Sequence, residues 1–113
     1  MRSMEKELTR GSSLEASMED ARLFGVSPDV ARRIHEIVEA NLSPIVLGFE
    51  LKFDMDSTNK PGVWVDLFVK EDLRPPQNKI REWSDASDKV RIALLEERLK
   101  SWPYPYASVR GVP

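Results

Sequence analysis

Asp54, Asp56 and Asp66 are the acidic group whose placement suggests a metal site. Two stretches of period-two alternation place all three on the same side of a hairpin, and hard divalent cations take converging carboxylate oxygens. Metal chemistry could begin only here. Asp56, however, also opens the segment Asp56–Gly62, where aspartate is favoured because its side chain bonds the turn backbone. Solvated carboxylates at a sheet edge are the simpler reading, and no metal or cofactor site is expected.

Other routes to catalysis have less to stand on. His35 is the only histidine and no cysteine occurs, so there is no second imidazole, thiolate or disulfide to work with. His35 lies at the border of a helical apolar stripe with Glu39 four residues on, which suits a boundary residue paired with its neighbour. The chain contains no glycine-rich phosphate loop, no Gly-x-Ser-x-Gly elbow and no His-Glu-x-x-His. An enzyme is the less favoured expectation.

Aromatic residues carry the stronger signal. In Phe49–Lys70, Phe49, Leu51, Phe53 and Met55 alternate with Glu50, Lys52, Asp54 and Asp56. Val63, Val65, Leu67 and Val69 then alternate with Trp64, Asp66, Phe68 and Lys70. The first member of each pair reads as core. Trp64 and Phe68 thus share the opposite side with Asp66, Lys52 and Asp54, and must meet another element, a partner or a ligand. With Lys52, and with Tyr104 or Tyr106 nearby, they could stack bases of a single strand. The carboxylates on that side oppose phosphate and favour a protein partner or self-association, in which aromatic anchors sit within a polar rim. Coverage by the chain's own N-terminal segment is the competing expectation.

The elements that must position these residues can be read in order. Residues 1–11 are polar and aperiodic and read as a flexible leader; residues 12–113 read as one α+β domain. Ser12-Ser13-Leu14-Glu15 has capping-box spacing for a short helix to about Phe24, stopped by Gly25. Ser27, Pro28 and Asp29 start a second helix, which carries Val30, Ile34, Ile37 and Val38 on one stripe and Arg32 with Glu36 on the wet side, and ends near Asn41. After the hairpin and the Pro75-Pro76 loop, a helical pattern spans about Asn78–Lys100, either continuous or broken near Ser84–Asp88. Ile80, Trp83, Ser87, Val90 and Leu94 lie on one line and Ile92, Leu95 and Leu99 on the next. Trp102-Pro103-Tyr104-Pro105-Tyr106 is excluded from a central strand by its prolines, while Ala107–Arg110 can add a short third strand. The expected fold is helices on one face of a small antiparallel sheet, in the order α-α-β-β-α-β.

Composition limits the partners. Seventeen Lys and Arg against nineteen Asp and Glu give a net charge of -2, so no global field draws in nucleic acid, and that partner is disfavoured. The run Ile45–Phe49 is far short of the roughly 20 apolar residues that span a bilayer, and no apolar signal region opens the chain. No membrane association and a cytoplasmic location are expected.

The combination of Asp54-Met55-Asp56-Ser57, a Pro61-Gly62 turn, Val63-Trp64-Val65-Asp66, a helix from Val90-Arg91 to Leu99 and Trp102-Pro103-Tyr104 resembles small uncharacterised bacterial proteins, some encoded near HEPN-type or toxin–antitoxin-like genes. The resemblance spans about Pro28–Val109 and implies an accessory role with no catalytic residues. Asp-x-Asp with a third acid on a neighbouring strand also has the outline of nucleotidyltransferase sites, without the Gly-Ser turn that precedes their acidic pair. Trp83–Arg91 resembles the KH-like ribosome-binding factor A, with Asp88 where that family has glycine. That resemblance implies a nucleic-acid binder.

Overall fold

The computed structural model describes residues 14–71, 76–98 and 102–113. The expected leader, and the serines of the expected capping box, lie outside them. Three helices and three strands follow in the order α1 (Leu14–Leu23), α2 (Pro28–Ala40), β1 (Val46–Met55), β2 (Pro61–Lys70), α3 (Pro76–Glu97) and β3 (Tyr104–Val112). The chain is an α+β domain with its helices on one face of the sheet.

Local chemistry sets the helix ends. Helix α1 closes at Gly25, whose φ of 79° costs a residue without Cβ little; the Gly25 and Val26 amides donate to the Arg22 and Ala21 carbonyls. The hydroxyl of Ser27 accepts from the Val30 amide at the start of α2, Pro28 occupies the first turn, and Asn41 closes the far end by donating to the Ile37 carbonyl. Arg32 pairs with Asp29 rather than with the expected Glu36, which is taken by Arg33. Arg33 also reaches Glu97 at 2.9 Å, tying α2 to the end of α3.

Strands β1 and β2 pair antiparallel with Leu51 opposite Val65 and Lys52 opposite Trp64. A register shift between Val46 and Gly48 leaves Leu47 bulged and exposed. The sheet is mixed, not wholly antiparallel: β3 lies parallel to β2, giving the order β1-β2-β3. Helix α3 explains the direction. Its 22 residues rise about 33 Å, the length of the 10-residue β2, so the helix returns the chain to the end where β2 began. β3 also starts at Tyr104, earlier than the expected Ala107. As an edge strand it uses alternate amides for its single neighbour, so Pro105 is tolerated opposite Val63.

The core lies between the sheet and the helices. Phe49, Leu51, Phe53, Val63, Val65 and Leu67 are buried with Ile34, Ile37 and Val38 of α2 and Ala86, Val90 and Leu94 of α3. Each large side chain buried here stabilises the fold by about 1.5–3 kcal/mol relative to exposure. Helix α1 joins through Ala21, and its Asp20 carboxylate accepts the Phe53 amide at 2.9 Å, covering part of the β1 edge. Met55, expected in the core, is 43% exposed because it ends its strand; Ile80 and Ile92, expected on the apolar surface of α3, are also exposed. α3 runs unbroken through Ser84–Asp88. Among the described residues no helix is long and apolar enough to cross a membrane.

Candidate functional site

The side of the sheet away from the helices is built from alternate residues of all three strands. Pairing sets Trp64 between Lys52 and Tyr106, Asp66 between Glu50 and Ser108, and Phe68 between Gly48 and Arg110. Because side chains alternate along each strand, these residues share one face while Val63, Val65, Leu67, Pro105, Ala107 and Val109 share the other. The described helix α1 does not cover the aromatic face, since its Ala21 belongs to the core cluster; the other form of that expectation, coverage by the leader, lies outside the described residues.

The centre of the face is a ring stack. The Trp64 indole and the Tyr106 ring lie 4.8 Å apart at 16°, and Tyr104 tilts against Tyr106 at 5.3 Å. Gly62 makes the stack possible: a Cβ there would lie 3.0 Å from the Trp64 ring and 3.2 Å from that of Tyr106. Guanidinium groups flank the rings. Arg110 lies over Phe68 at 5.7 Å and Arg98 over Tyr104 at 5.2 Å.

The acids are engaged separately. Asp66 faces Glu50 directly, a repulsive arrangement that it offsets by accepting from the Ser108 hydroxyl at 2.9 Å and pairing with Arg110 at 3.5 Å. The Oδ1 of Asp56 accepts from the Thr58 hydroxyl and from the Thr58 and Lys60 amides, which shapes the turn. The Thr58 hydroxyl, then these amides, hold the Asp56 carboxyl below the ordinary aspartate range. The Tyr106 phenol is pushed up, chiefly by burial and then by the negative charge of Asp56. Asp54 accepts from the Met55 amide. Among the described residues no group of three potential ligands can hold a metal ion, so Asp54, Asp56 and Asp66 do not form the converging set that metal chemistry requires. His35 pairs with Glu39 at 3.7 Å and its ring contacts Phe49 at 5.0 Å, a boundary position.

Of the residues read from sequence, Lys52, Asp54, Trp64 and Asp66 line one shallow hollow of about 280 Å3, and Phe68 stands farther along the same face. Sequence reasoning missed Ser108 and Arg110 as members of this face. Their signal was the alternation of Tyr104, Tyr106, Ser108 and Arg110 with residues that now point to the core. Comparison with family models, curated proteins and solved structures finds no match to this chain.

Proposed function

We propose that the chain is a non-catalytic interaction module whose contact surface is the open sheet face, docking a protein partner over the Trp64–Tyr106 stack. An accessory role in a toxin–antitoxin-like system is the setting its sequence pattern implies. The stack carries the reading: two large rings held rigidly on a face that no described helix covers. Such rings supply anchoring area at little entropic cost, and their neighbours Glu50, Lys52, Asp54, Asp66, Lys70 and Arg110 form a rim of balanced charge. Balanced charge suits a mixed protein surface better than a phosphate backbone. Titrating the chain with the products of neighbouring genes, followed by tryptophan fluorescence, tests the proposal. Trp64→Ala should weaken binding by about 2 kcal/mol or more, as at interface anchors; unchanged affinity in both Trp64→Ala and Phe68→Ala places the contact elsewhere. Size-exclusion chromatography across concentrations reveals whether the partner is a second copy.

A single-stranded nucleic acid is the second reading, favoured by the ring stack with Arg98 and Arg110 beside it. Binding of short RNA that weakens steeply with salt would support it over a protein contact.

A further inference from the structure

A second concavity lies at the end of the sheet, between the β1–β2 turn and the chain leading into β3. This cleft has a volume of about 490 Å3, and its walls include Asp56, Lys60, Arg98, Trp102, Tyr104 and Tyr106. The volume is that of a small-molecule site. We propose that this cleft binds a small planar ligand carrying one anionic group, a carboxylate or a phosphate, with its ring against the tyrosines and its charge on Arg98.

The aromatic wall is fixed. Pro103 and Pro105 are fully buried and alternate with Trp102, Tyr104 and Tyr106, so the rigid backbone turns its rings toward the cleft while anchoring itself in the interior. Tyr106 is held from behind by Trp64. This assigns a role to the Trp-Pro-Tyr-Pro-Tyr stretch that the open face alone leaves unexplained.

The polar groups point to an anion. Arg98 Nε is buried without a hydrogen-bond partner, although its guanidinium lies over Tyr104. Arg98 nevertheless lines the cleft, and a carboxylate or phosphate matches the fork that its guanidinium presents there. Lys60 adds a second cation to the lining. The one acid in the wall, Asp56, is held at Oδ1 by three turn donors and its charge bears on the Tyr106 phenol, so the anion belongs at the Arg98 side of the cleft. Aromatic clusters also attract cations, but here Tyr104 already carries a guanidinium, which disfavours a second positive charge.

The proposal does not depend on a partner at the open face. Calorimetric titration of the full chain with benzoate, adenosine 5′-monophosphate, inorganic phosphate, adenosine and tetramethylammonium tests it. Saturable binding of benzoate or the monophosphate is expected, with phosphate alone and adenosine alone at least about tenfold weaker because each lacks one half of the recognition. Preference for benzoate over the monophosphate assigns the anion as carboxylate, and the reverse assigns it as phosphate. Arg98→Gln should lower affinity by about tenfold or more, whereas Ile80→Ala on the exposed side of α3 should leave it unchanged. If Arg98→Gln lowers the melting temperature enough to compromise folding, Lys60→Gln replaces it with a smaller loss expected. Absence of saturable binding by benzoate and the monophosphate at millimolar concentration, equal affinity in the folded variants, or preference for tetramethylammonium overturns the assignment.

Discussion

The two faces of this sheet are made from the same strands yet obey different rules. On the helix side, Phe53, Val65 and Leu67 are at most 1% exposed, and their contribution is fixed by burial. On the open side, Trp64, Phe68 and Tyr106 are only half-buried; Trp64 and Tyr106 hold each other, and the Arg110 guanidinium lies over Phe68. A side chain that the fold needs is sealed by neighbours. A side chain held in place yet left partly exposed is available to something else. Substitutions should therefore separate stability from binding according to the face they alter.

The largest expected effect is on the buried face. Phe53→Ala removes a fully buried ring and should destabilise the domain by about 3–5 kcal/mol in urea unfolding, a large part of what a domain of this size has. A loss below about 1 kcal/mol would mean that the two faces are not distinct. Gly62→Ala comes next. Its new Cβ would press on Trp64 and Tyr106 at 3.0–3.2 Å, and overpacking of this kind costs about 1–3 kcal/mol. The near-ultraviolet circular dichroism of the stack should change with it. Trp64→Ala should cost less, about 0.5–1.5 kcal/mol from the lost ring pair plus the partly buried area, while affecting partner binding most.

The smallest effect concerns the turn. With the folded pKa of Asp56 depressed, its contribution to stability is complete above the unfolded value of about 3.9 and is lost as pH falls through the lower folded value. Asp56→Asn should therefore be less stable than the parent at neutral pH, and thermal melts should show that gap closing below about pH 4. A gap that stays constant into acid would assign the turn's stability to the amide bonds alone.

How much of this was readable beforehand depended on periodicity. Val63, Val65, Leu67 and Val69 alternate so regularly with Trp64, Asp66 and Phe68 that both faces of the hairpin could be assigned from spacing. Ser27, Pro28 and Asn41 marked the bounds of α2 in the same way, because caps are local chemistry. The direction of β3 was not local. It follows from a helix long enough to carry the chain back along β2, and the prolines at 103 and 105 disguised the strand's first residues. With β3 misjudged, Ser108 and Arg110 could not be placed beside Asp66 and Phe68. The cleft was hidden for a related reason: Lys60 is distant in sequence from Arg98 and Tyr104 and meets them only when the crossover is complete.

Hydroxyl-radical footprinting of the isolated, dilute chain, read by mass spectrometry, tests the central claim most directly, since it compares both faces in one experiment without a known partner. Trp64, Phe68 and Tyr104 should be modified readily while Phe53 stays protected. Protection of Trp64 and Phe68 equal to that of Phe53 at the lowest concentration would show that the chain seals this face itself, and would contradict the account.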